Sequence, residues 1–163
     1  MSDLWRELPL SGRPRLDESA VPDGWEADVT AVREAAAAAL ARHPDPAAAE
    51  AFATATPVAA PRRDGRPRRV KLAELDRAVY AYLELCARLG IPPEVPARAG
   101  GAVALGRAAA APTEIRAVIA GHSLRATDAD WSFGRGPVLE DTAAALLEFL
   151  AGRSLRAPRP ALD

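Results

Sequence analysis

The sequence predicts an α+β fold. A partial helical bundle spans residues 23–111, a small strand-rich unit with one covering helix spans 112–163, and an extended arm, 1–22, precedes both. Three observations carry this. Leu72, Leu75, Val79, Tyr82, Cys86 and Leu89 recur at spacings of 3 and 4, the stripe of a bundle helix. After Pro112 the apolar residues switch to alternation, the period of strands. A leucine-rich run from Leu139 to Leu150 then returns to helical spacing.

Taken in order, the arm carries Pro9, Gly12, Pro14 and Pro22 with little periodicity, and Leu4, Trp5, Leu8 and Leu10 are its anchors for docking in cis or onto a partner. Asp23 followed three residues on by Glu26 reads as a capping-box-like helix start. Val29, Val32, Ala36, Ala39 and Leu40 then share a face, and Pro44 stops the helix after Arg42. Asp45-Pro46 opens a short second helix through Phe52, with proline at the first helical position. Thr54 to Ala60 stays open between loop and strand, and Pro61 to Arg69 is an arginine-rich turn around Asp64-Gly65. The clearest helix runs from Lys71 to Leu89 and is closed by Gly90 and Pro92-Pro93; Glu74, Arg77, Ala81, Glu84 and Arg88 form its polar face. Pro96 to Ala110 is an alanine-rich helix whose Gly100, Gly101 and Gly106 imply close backbone packing or fraying.

In the second unit, Ile115, Ala117 and Ile119 alternate with Glu114, Arg116 and Val118, which predicts a strand. Leu124 and Ala126 predict another, Asp128-Ala129-Asp130 a turn, Trp131 and Phe133 a further strand, and Gly134-Arg135-Gly136-Pro137 a second turn. The last helix presents Leu139, Ala143, Leu146, Leu147 and Leu150, holds Glu140 and Asp141 in its first turn and ends at Gly152; residues 153–163 are a tail.

Composition closes several functional classes. The 163 residues suit one domain, or one small domain and part of a second. Apolar residues make up 49% of the chain but aromatics only 5%, and about a quarter of the chain is alanine, so helices pack closely through small side chains. A net charge of −1 argues against nucleic acid or an anionic membrane as partner. The single cysteine, Cys86, excludes an internal disulfide and points to a reducing, cytoplasmic compartment. No apolar run approaches ~18 residues, and Met1-Ser2-Asp3-Leu4 lacks a basic start, so neither a membrane span nor a secretory leader is expected. Asn and Gln are absent and Lys71 stands against twenty arginines, the mark of a GC-rich bacterial genome.

Little of this is catalytic chemistry. His43, His122 and Cys86 show no metal-ligand spacing, so no metal or cofactor is expected. Cys86 sits on the apolar stripe and reads as a core residue. His122, Arg125, Asp128 and Asp130 gather beside Trp131, where a carboxylate near an indole can acquire a raised pKa and act as an acid; the plainer reading has the aspartates bonding their own turn. Arg62, Arg63, Arg66, Arg68 and Arg69 have no interleaved aromatics and read as a solvated turn in preference to a phosphate site. Gly134-Arg135-Gly136 ahead of a helix is a weak anion cradle, and Pro137 removes one of its donors.

The stretch from Ser123 to Pro137, with Thr127-Asp128, Trp131 and Gly134-Arg135-Gly136-Pro137, together with the leucine helix ending in Gly152-Arg153, resembles the C-terminal part of the mycothiol-dependent maleylpyruvate isomerase family. Leu83 to Gly90 resembles the end of that family's last bundle helix, and the resemblance covers roughly residues 55–155, with its specific part at 123–153. It implies an N-terminal DinB-like four-helix bundle and a C-terminal α/β domain related to sterol carrier proteins. It also implies a bundle metal held by an early histidine and a Glu-x-x-x-His pair. That pair falls on Arg77 and Ala81, which cannot bind a cation and lie on the polar face by periodicity. The bundle is therefore expected to be remodelled and metal-free, with Arg153 near the cleft between the two units, holding an anion or capping its helix.

The expected function is a non-catalytic relative that binds a small molecule or a partner protein in that cleft, with a homodimer or a heteromer as its expected assembly. His122, Arg125, Asp128, Asp130, Trp131 and Arg153 are its candidate ligand-binding residues. The alternative is a divergent isomerase- or transferase-type enzyme that uses His122, Asp128 or Asp130 as acid–base groups.

Overall fold

A computed structural model describes residues 24–57 and 69–161. The arm with Leu4, Trp5, Leu8 and Leu10, the cap Asp23, and the arginines at 62, 63, 66 and 68 lie outside the described residues. Within them the chain is α+β: six helices and one four-stranded sheet, the helical part first and the strand unit after it.

Helix α1 (Glu26–Arg42) begins without a side-chain cap. The Glu26 carboxylate instead accepts from the Val70 backbone N–H at 2.6 Å, tying the start of α1 to the lead-in of α3, and this bond holds its pKa below the ordinary glutamate value. Helix α2 (Pro46–Ala55) starts as expected, with Asp45 accepting from the Ala48 N–H at 3.0 Å and Pro46 in the first turn. It continues through Thr54 and Ala55, so that part of the open stretch is helix.

Helix α3 (Leu72–Leu89) is buried on more than its stripe: Ala78, Tyr80, Ala81, Leu83 and Leu85 are covered too. The polar face is thereby corrected at Ala81, which is 7% exposed. The reason is that α1, α2 and α4 (Ala97–Ala109) all pack on α3, which makes it the central helix. An alanine has no polar group to lose by being covered, so a face judged polar by its charged neighbours is buried wherever α2 reaches it.

The strand unit departs from expectation at both ends. Thr113–Ile119 is a helix, α5, not a strand. Ile115 and Ile119 stand four apart as well as on alternate positions, and they alone pack against the core while Arg116, Ala117 and Val118 face solvent. The predicted last helix is split: Val138–Asp141 is strand β3, and helix α6 begins only at Ala143 and runs to Leu150, with Thr142 capping through the Ala145 N–H. Glu140 and Asp141 are therefore strand residues. The tail adds a two-residue edge strand, β4 (Arg159–Pro160).

The sheet order is β2-β1-β3-β4, with β1 (Ser123–Ala126) antiparallel to β2 (Ser132–Gly134) and parallel to β3. Leu124 faces Leu139 across the parallel pair, and both are buried. After β2 the chain must cross the entry to β1 to reach that strand's other side. It does so through Gly134 and Gly136, both at φ +104°, where any Cβ would run into the carbonyl oxygens of His122 and Gly121. The Gly-x-Gly pattern is thus a crossover device, and the Pro137 carbonyl closes it by accepting from the Ser123 N–H at 2.9 Å.

Helix α6 packs on α4 and on β3, so a single hydrophobic core runs through both parts; Val32, Leu75, Val103, Leu146 and Leu147 are among its fully covered members. Each such side chain contributes about 1.5–3 kcal/mol by leaving water. Tyr80 and Tyr82 are buried in the same core, and burial pushes both phenols up to about 12; burial also raises the Cys86 thiol. These are the only tyrosines in the chain. A phenol whose folded pKa is raised stabilises the fold below its unfolded value near 10, and that contribution is lost as pH rises toward 12. A spectrophotometric titration of the native protein is expected to show no phenolate step at the ordinary tyrosine pKa, and unfolding is expected to restore it. A native step at the ordinary position contradicts the packing of one of these rings.

Candidate functional site

The candidate site is an open groove of about 540 Å³ where the strand unit meets the helices. One wall is the end of the β1–β2 hairpin, where Trp131 and Phe133 stack with ring centres 5.8 Å apart and planes at 16°. The other wall is α4, and the feature that admits the indole there is Gly101, whose Cα hydrogen faces the Trp131 side chain where a Cβ would stand only 3.2 Å from it. The adjacent Gly100 lies against the Trp131 Nε1 edge. Close backbone packing, one of the two outcomes expected for this alanine-rich helix, is what these glycines provide.

Trp25, just ahead of α1, and Leu105, 55% exposed on α4, complete the apolar lining. Arg98 lies at the rim with its guanidinium carbon 5.8 Å from the Trp25 ring centre, and it pairs with Asp28 of α1 at 3.3 Å. Asp28 is 6% exposed, so Arg98 neutralises a carboxylate that is otherwise withdrawn from water. Two buried polar atoms beside this junction, Asp28 Oδ2 and Trp131 Nε1, have no hydrogen-bond partner among the described residues.

Of the six candidates read from the sequence, the groove gathers two: Trp131 stands in its hairpin wall and Asp130 at its edge, with Ser132 beside them. The other four have separate tasks. The Asp128 carboxylate accepts from the Ala143 N–H at 2.6 Å and so caps α6. The guanidinium of Arg125 is paired with Glu140 across the parallel strands. The His122 ring lies 3.0 Å from the Ala120 carbonyl oxygen at the turn into β1. Arg153 lies over the Tyr80 ring at 4.5 Å and pairs with Glu84 at 3.0 Å, fastening the end of α6 to α3. Its backbone N–H caps the Glu148 carbonyl of α6 at 2.9 Å, and its guanidinium stands at a different place on the junction from the groove. Sequence reasoning missed Trp25, Arg98, Leu105 and Phe133 as site residues. The one local signal was the Gly100-Gly101 pair, which marks where another chain segment comes close.

The metal implied by the family resemblance does not fit the residues present. Arg77 is exposed and borders a separate cavity of about 310 Å³ between α1, α2 and α3, together with Arg33 and Glu74. Ala81 is buried against α2. Neither offers a lone pair to a cation, and among the described residues no three His, Cys, Asp or Glu side chains come together as a ligand set. A further hollow beside Thr127 and Asp141 is lined by members of two engaged pairs, Arg156 with Asp141 at 3.1 Å and Glu140 with Arg125, and by Arg159 of β4. No helix among the described residues is long and apolar enough to cross a membrane. Compared with known proteins, the chain matches no family model, no curated protein and no solved structure.

Proposed function

We propose that the protein is a non-catalytic binding module, a remodelled and metal-free relative of the mycothiol-dependent isomerases, that works in the cytoplasm. Its groove between α4 and the β1–β2 hairpin takes a bulky apolar group, presented by a small molecule or by a partner protein. The observation that carries this reading is the Trp131–Phe133 stack lying open beside an exposed Leu105. Aromatic side chains offer much contact area at little entropic cost, and they dominate binding energy where they line a concavity. A contiguous apolar patch left uncovered on a folded chain is more often a contact surface than an accident of packing.

The alternative of acid–base catalysis loses its support in the same geometry. Asp128 is spent on a helix cap, and His122 does not line the groove. Asp130 remains at the edge, and the other ionisable residue of the lining, Arg98, is paired with Asp28.

The test is titration with 8-anilinonaphthalene-1-sulfonate, an aromatic probe whose emission rises in apolar surroundings. The titration is made in a Trp5→Ala chain, so that the probe meets no competing aromatic from the segment ahead of α1. That chain is expected to bind it, and adding Leu105→Glu, an exposed substitution that leaves the core untouched, is expected to weaken binding about tenfold by placing a desolvation-averse carboxylate in the lining. Equal binding by the two proteins overturns the assignment of the groove.

A further inference from the structure

The groove begins where the described chain begins. Trp25 is part of its lining, and α1 starts at the next residue, so the segment ahead of Gly24 leaves from the groove's own rim. That segment carries Leu4-Trp5-Arg6-Glu7-Leu8-Pro9-Leu10, four large apolar residues within seven positions, in a chain that is otherwise poor in aromatics. The residues between Leu10 and Gly24 span up to roughly 45 Å when extended, far more than is needed to turn back onto a wall next to their point of departure.

The chemistry of the two parts agrees. Trp5 and the leucines are the bulky groups that a Trp131–Phe133 face and Leu105 accept. Pro9 and Pro14 limit the conformations lost when such a segment settles into a groove. A short tether also holds its anchor at an effective concentration near millimolar, so even a weak contact is filled most of the time.

We propose that the arm segment Leu4–Leu10 folds back into this chain's own groove, with Trp5 against Trp131 and Phe133, as a tethered occupant that any external ligand must displace. The inference rests on the reading of the groove as a site for bulky apolar groups. Its consequence is regulatory: the apparent affinity for an outside ligand falls by the fraction of time the groove is occupied.

The chain has three tryptophans, so fluorine NMR of the full chain labelled with 5-fluorotryptophan resolves Trp5, which Trp5→Phe assigns. The Trp5 signal is expected away from the free-indole position, with little shift between light and heavy water. Leu105→Glu is expected to return it to the free position while the Trp131 signal stays dispersed, which shows that the variant is folded. A Trp5 signal at the free position in the unsubstituted chain overturns the inference, and so does a protected signal that ignores Leu105→Glu. A dimer that Trp5→Ala dissolves overturns the intramolecular form, because the arm then serves a second copy. The anilinonaphthalene probe separates this inference from the reading beneath it. Trp5→Ala is expected to bind the probe about tenfold more tightly than the unsubstituted chain. If Trp5 is free and probe binding still depends on Leu105, the arm is excluded and the groove stands. If the Trp5→Ala chain fails to bind the probe at all, both fall.

Discussion

Gly136→Ala is expected to destabilise the protein by at least about 3 kcal/mol, a large fraction of the 5–15 kcal/mol that holds a typical domain together. Two effects act in one direction. At φ +104° an L side chain is strained, and a Cβ placed there meets the Gly121 carbonyl oxygen, a backbone atom that cannot rotate away. Relief requires the crossover to lift off the entry to β1, which breaks the 2.9 Å bond from the Ser123 N–H to the Pro137 carbonyl and loosens the parallel pairing of β1 with β3. Arg135→Ala, one residue away on the exposed outside of the same turn, is the control and is expected to change stability by less than about 0.5 kcal/mol. Urea unfolding of the two variants checks the pair. A Gly136→Ala loss no larger than that of Arg135→Ala contradicts the crossing of the 134–137 segment over β1.

That crossover also explains which parts of the fold the sequence made legible. Helices α1, α2 and α3 were readable because their apolar spacing and their proline and glycine punctuation are local. Strand β3 was not: Val138–Asp141 carries no alternation of its own, and its extended state is imposed by parallel pairing with β1, a partner reached only after the chain has crossed over. The two residues of β4 are strand for the same reason, because β3 offers them an edge. In α5, Ile115 and Ile119 satisfy period 2 and period 4 alike, and the decision came from packing that seven residues cannot reveal. The site divides in the same way. Asp130 and Trp131 stood out locally, but Trp25, Arg98 and Leu105 reach the groove only because α1 and α4 are laid beside the hairpin. His122, Arg125 and Asp128 stand out by their chemistry and Arg153 by the family resemblance; Arg125, Asp128 and Arg153 are each held by a structural partner, and the His122 ring rests against its own turn.

Tyr80→Ala is expected to cost about 3–5 kcal/mol, the range for removing a large buried ring. Tyr80 is 4% exposed on the central helix, and its hydroxyl donates to the Leu147 carbonyl of α6 at 2.7 Å, the buried side-chain bond that joins the helical part to the strand unit. Two guanidinium groups lie on the ring: Arg107 at 4.9 Å, held by a bidentate pair with Asp76, and Arg153 at 4.5 Å. Truncation therefore opens a cavity at the junction and removes the surface on which both arginines rest. Tyr80→Phe separates these contributions. It keeps the ring and loses one hydrogen bond, and because the Leu147 carbonyl also accepts from the Ala151 N–H it is not left bare, so the expected loss is only about 1 kcal/mol. Arg153→Ala, which removes a half-exposed cation from the ring face, is expected to lose roughly 0.5–1 kcal/mol. The ordering Tyr80→Ala far above Tyr80→Phe, with Arg153→Ala near the latter, is the signature of a ring that packs the two parts together. Equal losses for the alanine and phenylalanine variants would mean that the hydroxyl alone makes the joint.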